Sequence, residues 1–253
     1  MIAKWFSLLV ITICVCHADK IAEDGYFETF FVAPNPLLDE QSPEFRNAIS
    51  MDDYKWPGGV IPYSFDDKVY SEKDKATISK AMEIFSKTTC IQFLRTNEEE
   101  LSVHQIKFVK SRLGCGTSVG YHVYRNESQL VAYTNDCISK PGAIQHELLH
   151  VIGLFHEQCR YDRDEYIDIH WENIEESQKH NFAKVSQKYS TTFNLPYDTI
   201  SLMHYPRHAF SKDGKSYTMT AKNDTTMELG QIDLKKGGPT DLDLEKVRRM
   251  YNC

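Results

Sequence analysis

"HELLHVIGLFHEQCRYDRD", His146–Asp164, sets three histidines at spacings that suit one metal ion. His146 and His150 stand four residues apart, so on a helix both imidazoles leave the same face. Glu147 is too far round that helix to ligate, but it can reach a water at the metal and act as general base. Gly153 permits the positive-φ backbone that ends a helix, and the turn then delivers His156. Three neutral imidazoles leave Zn2+ strongly Lewis acidic, with at least one position open. The H-E-x-x-H core alone is only suggestive. Gly at +7 and His at +10 make an accidental match, a surface helix with scattered histidines, rare.

The text on either side reads as α+β: a sheet-bearing N-terminal lobe, a looser C-terminal lobe, and the His146 helix between them. "YKWPGGVIPYSFD" is β-rich after a Pro-Gly-Gly turn. Ser71 and Asp74 are spaced as a capping box, and Ile78, Met82 and Phe85 follow at i, i+4 and i+7, which predicts an amphipathic helix. "IQFLR", "QIKFVKS" and "LVAYT" are strand candidates, and Thr240 caps a closing helix through Leu244, Val247 and Tyr251. Between Leu154 and Pro239 the chain is polar, aromatic and irregular.

The first eighteen residues differ from the rest: Lys4, then the apolar run "WFSLLVITICVC", then Ala18 in a small-residue cleavage position. This reads as a secretory signal peptide, too short for a membrane span, and it predicts an extracellular protein. Residues 19–46 are acidic and proline-bearing, without periodicity, and suit a propeptide cut after Arg46; residues 47–253 are then expected as the mature domain. Of seven cysteines, Cys14 and Cys16 leave with the signal, so an odd five remain for an oxidising compartment. Asn126 and Asn223 head sequons that a glycan can occupy. A net charge of -7 provides no basic field for nucleic acid.

With the later "SLMHYP", the opening stretch closely resembles the astacin family of zinc endopeptidases, within the metzincins. The resemblance extends over nearly the whole mature chain, through "NAI" after Arg46, "WPGGVIPY", "YIDIHWENI", "YDTISLMHY" and a terminal "YNC". It implies a two-lobed metzincin-type catalytic domain with a twisted, mostly parallel sheet, a backing helix, a zinc-binding helix and a final helix. It implies His146, His150 and His156 as ligands of one Zn2+, Glu147 as general base and Met203 as the methionine under the metal. Tyr205 is implied as a hydroxyl that ligates zinc at rest and swings out to stabilise the oxyanion.

The resemblance also supplies a partner for Glu157: the α-amino group of Asn47, freed when a trypsin-like protease cuts at Arg46. It pairs Cys90 with Cys253 and Cys115 with Cys137, leaving Cys159 over. For Cys159 three readings stay open: a buried inert thiol, an intermolecular or reactive thiol, and a zinc contact. Asp162, Arg163 and Asp164 match the family signature and are expected to brace the lobe below the cleft. One departure concerns the propeptide, where "EDGYFETFF" replaces the usual Phe-x-Gly-Asp segment. Asp24, Glu28 or plain occlusion of the cleft are the candidates for latency.

His104, His122, His170, His180, His204 and His208 fall outside the motif and read as structural or surface histidines. Protein or peptide substrates are expected to lie antiparallel to an edge strand near "LVAYT". The molecule is expected to be a monomer, with no interaction module after Cys253. The rival from another class is a catalytically silent zinc-binding pseudoprotease, disfavoured because Glu147 and Tyr205 are retained. The matrix metalloprotease branch is disfavoured by Glu157 and by the lack of a propeptide cysteine near the mature end.

Overall fold

The computed structural model describes residues 48–50, 52–96, 104–122, 127–188, 190–231 and 233–253. The expected signal and propeptide segments, with Asp24 and Glu28, lie outside the described residues, as do Asn47 and Asn126. In chain order the regular elements are β1 (Ala48–Ile49), β2 (Val60–Phe65), α1 (Glu72–Thr88), β3 (Gln92–Arg95), β4 (Ile106–Lys110), β5 (Gly116–Thr117) and β6 (Gln129–Tyr133). There follow α2 (Asn135–Ile138), α3 (Pro141–Ile152), β7 (Ile167–Ile169), β8 (Ser190–Thr191), β9 (Met219–Ala221) and α4 (Asp241–Tyr251). Several single 3₁₀ turns lie between α3 and α4.

Five strands form one sheet in the order β3-β2-β4-β6-β5, parallel except for β5. Alternation sends Ile61, Tyr63 and Phe65 of β2 to the same side as Phe108 of β4, where Phe65 and Phe108 stack at 5.0 Å. Against that face pack Ile78, Met82 and Phe85 of α1 and Leu148 and Leu149 of α3, in one continuous core. α1 begins at the capping box read from Ser71 and Asp74. α3 is buried on almost every side, as suits a helix that is apolar all round.

The last turn of α3 is closed by residues distant in sequence. The Trp56 indole N–H donates to the Val151 carbonyl at 2.8 Å, and the Tyr251 hydroxyl donates to the Ile152 carbonyl at 2.7 Å. Carbonyls at a buried helix end need such donors. Gly153 follows with φ +127°, and the chain leaves the helix there.

One expectation needs correction. "LVAYT" does not form the sheet edge, because β6 is hydrogen-bonded to β4 on one side and to β5 on the other. Cys115, just before β5, is bonded to Cys137 in α2, just after β6. That staple holds residues 115–117 back against β6 and gives the edge to β5. A second disulfide, Cys90–Cys253, ties the end of α4 to the start of β3.

Candidate metal centre

His146 and His150 lie one turn apart on α3, and both are buried. The Nδ1 of His146 is 2.8 Å from the carbonyl oxygen of Leu202, and that of His150 is 2.7 Å from the carbonyl oxygen of Leu154. A carbonyl only accepts, so each Nδ1 carries the proton and each Nε2 presents a lone pair. His156, delivered by the turn after Gly153, brings its Nε2 to 3.3 Å from that of His146. Ligand atoms of all three histidines lie within 4.8 Å of one another, and among the described residues no other His, Cys, Asp or Glu group converges in this way.

This donor set fits zinc. Converging imidazole lone pairs repel unless a cation lies between them, and a second hydrogen bond fixing each ring is the usual support of a ligating histidine. Glu147 is fully buried beside His146. The Cys159 thiol stands outside the converging group and donates to the Asn181 carbonyl oxygen at 3.2 Å.

Against His146 lies the tight turn Ser201–His204, whose Leu202 carbonyl oxygen meets that ring. Met203 is buried there, and its carbonyl oxygen accepts the Glu157 N–H at 2.8 Å. Tyr205 follows with its ring 4.3 Å from that of His156, centre to centre. His204 lies deeper: its Nδ1 donates to the Tyr205 carbonyl oxygen at 2.7 Å, and its Nε2 accepts the Tyr197 hydroxyl at 2.8 Å. Burial lowers its pKa to about 4, so the ring is neutral. The structure thus places His204 as a support for the Tyr205 backbone. Of the other off-motif histidines, the His170 Nε2 is 3.0 Å from the Thr220 hydroxyl and the His208 ring packs on Tyr217.

Glu157 is fully buried, and two cations of the chain itself meet it. Its Oε1 accepts from the Arg160 guanidinium and from the Asp198 N–H, each at 3.0 Å; its Oε2 accepts from the Lys246 ammonium. Burial alone would raise this carboxyl's pKa, yet the Lys246 and Arg160 charges hold it below the ordinary range. Arg160 also takes Asp162 through two nitrogens, at 2.9 and 2.7 Å. Arg163 donates to the carbonyls of Gln158 and Phe182 and pairs with Asp164. Sequence reading missed Lys246 and Arg160 as partners of Glu157. For Arg160 the short spacing was a readable signal; for Lys246, 89 residues away, there was none.

The sequence profile of the peptidase family described as Astacin matches residues 48–252. The chain belongs to the astacin family. The low choriolytic enzyme of Oryzias latipes is 36% identical over 222 residues, covering 83% of this chain and 75% of that protein. Zinc metalloproteinase nas-4 of Caenorhabditis elegans is 32% identical over 221 residues, covering 87% of this chain and 66% of that protein, so this chain spans about two thirds of that relative. The solved structure of high choriolytic enzyme 1, a hatching enzyme zinc-protease from Oryzias latipes, superposes with a TM-score of 0.68 at 35% identity, covering 79% of this chain and 93% of that one. Residues 48–252 are accordingly an astacin zinc metalloproteinase domain with the α+β architecture of that structure, and the three grouped histidines are its zinc site.

Proposed function

We propose that this chain is a secreted astacin-type endopeptidase, made as a zymogen and cut between Arg46 and Asn47 by a trypsin-like protease. The convergence of His146, His150 and His156 beside the buried Glu147 carries the reading. When bound, zinc supplies Lewis acidity, polarising the scissile carbonyl and acidifying water in the site. Glu147 accepts the proton of the attacking water and returns it to the leaving amine. The Tyr205 phenol donates a hydrogen bond to the carbonyl oxygen as charge develops on it. Leu202 and Leu154 hold the His146 and His150 rings through their Nδ1 protons, so the ligand set needs little reorganisation.

The peptide substrate pairs with β5, the last strand of the sheet; just past it the Gly120 N–H donates to the His150 carbonyl oxygen at 2.8 Å and ties this edge to α3. After activation the Asn47 amino group docks near Glu157. In support, Ala48 is fully buried and β1 packs against α4, the helix that carries Lys246. The relatives include choriolytic enzymes, which supports an extracellular protein substrate. The exposed Asn223 is open to glycosylation. Among the described residues no helix is long and apolar enough to cross a membrane. The active species is a monomer.

Assaying peptide hydrolysis by the trypsin-treated chain before and after chelation tests this. Hydrolysis lost to a chelator and regained with zinc is expected. A zinc-loaded, correctly cut chain that hydrolyses no peptide would instead support the pseudoprotease reading.

A further inference from the structure

α4 looks in sequence like an ordinary amphipathic surface helix, yet the fold buries two charged residues of its inner face, Asp243 and Lys246. They stand three apart, so they share that face. Asp243 holds the turn that meets His146. Its Oδ2 accepts the Leu202 N–H at 2.9 Å and the Thr240 N–H at 3.0 Å, and its Oδ1 accepts the Ser201 hydroxyl at 2.6 Å. The Ser201 hydroxyl oxygen in turn accepts the Met203 N–H at 2.9 Å.

That last bond matters for direction. The Met203 N–H and the Leu202 carbonyl belong to one planar trans peptide, so they point opposite ways. Holding the N–H fixes the carbonyl, and the Leu202 carbonyl is the acceptor that sets the His146 ring. Lys246 acts on the other side of the site through its ion pair with Glu157. Glu157 directly follows His156, and its N–H donates to the Met203 carbonyl oxygen at 2.8 Å. Two of the three histidines therefore trace back, through one or two hydrogen-bonded groups, to a single face of α4.

We propose that Asp243 and Lys246 are positioning residues for the zinc site, Asp243 aiming His146 through Ser201, Leu202 and Met203, and Lys246 holding the His156 segment through Glu157. This rests on the zinc reading of the three histidines. α4 is in this respect part of the metal's outer shell, reached from the far end of the chain and anchored there by Cys90–Cys253.

The test is zinc affinity of the full chain, by competition with a chromogenic chelator, together with the visible absorption of the cobalt-loaded protein. Asp243→Asn keeps size and removes one acceptor oxygen; Lys246→Met keeps length and removes the charge. Each is expected to weaken zinc binding about 10- to 100-fold and to change the cobalt bands. Ser71→Ala, which removes the remote α1 cap, is expected to lower the melting temperature while leaving zinc affinity unchanged. Should Asp243→Asn fail to fold, Ser201→Ala carries the test, since it cuts the link to Met203 and leaves the Leu202 bond in place. Wild-type affinity and an unchanged cobalt spectrum in the variants that fold would overturn the proposal alone. A wild-type chain that takes up no zinc would overturn the zinc reading and this proposal with it.

Discussion

The backbone N–H of Tyr205 donates to the side-chain oxygen of Gln158 at 3.1 Å. Gln158 lies two residues past His156, so the third histidine and the phenol sit in one hydrogen-bonded frame, closed also by the Glu157 N–H on the Met203 carbonyl. The Tyr205 phenol is thus set beside the His156 ring by backbone geometry. Its chemistry can be removed without disturbing that frame. Tyr205→Phe is expected to lower kcat about 100-fold or more with little change in KM and full zinc content. Steady-state kinetics on a peptide, with metal analysis, checks this.

Gly230 supports the same frame from below. It has φ +66°, its N–H donates to the Thr199 carbonyl oxygen at 2.8 Å, and a Cβ there would collide with the His204 carbonyl oxygen and lie 2.9 Å from the Tyr205 carbonyl carbon. Gly230→Ala is expected to cost roughly 1 to 2 kcal/mol for the left-handed backbone alone, and more for the collision. Thermal unfolding should show a loss of several degrees, with activity falling further than stability because Tyr205 moves.

His204 gives the fold a pH dependence. Its pKa falls from 6.5 to about 4 on burial, so the unfolded chain takes up a proton over a range in which the folded chain does not. Its contribution is fully present above pH 6.5 and is lost progressively as the pH falls to about 4, a change on the order of 3 kcal/mol. Urea unfolding at several pH values should show this slope. His204→Gln is expected to flatten it.

Glu157 already holds Lys246 and Arg160, so an α-amino group at Asn47, docked as proposed, would add a third cation to that carboxylate. Extending the mature N-terminus by two residues is expected to lower both stability and activity, but by less than Glu157→Gln, which removes the ion-pair partner of buried Lys246 and one of the two carboxylates that hold Arg160. Removing one partner of such a cluster typically costs about 3 to 5 kcal/mol. Unchanged activity and stability in the extended form would remove Glu157 as the docking site.

Cys159 is buried and its thiol meets a backbone carbonyl. Cys159→Ser keeps a donor of similar size, so one zinc per chain and near-normal hydrolysis are expected. Metal analysis of the variant decides between an inert thiol and a ligand.

Local signals carried most of what was readable in the sequence. Ser71 with Asp74 marked the start of α1, Thr240 marked that of α4, and Gly153 marked the exit from α3, because caps and turns are decided within a few residues. The spacing of His146, His150 and His156 was legible for the same reason. What stayed hidden depends on pairings made across the chain. Lys246 meets Glu157 over 89 residues, and Asp243, readable only as a cap partner, holds Leu202 over 41. The place of β6 inside the sheet was equally hidden, since nothing in "LVAYT" states which strand lies beyond it.

The most direct measurement compares wild type and Glu147→Gln, each activated by trypsin, for zinc content and for hydrolysis of the same peptide. The expected result is one zinc per chain in both, with hydrolysis reduced about 100- to 10,000-fold in the variant. Wild type that carries zinc but leaves the peptide intact, or a variant that cleaves at the wild-type rate, would contradict a three-histidine zinc peptidase driven by Glu147.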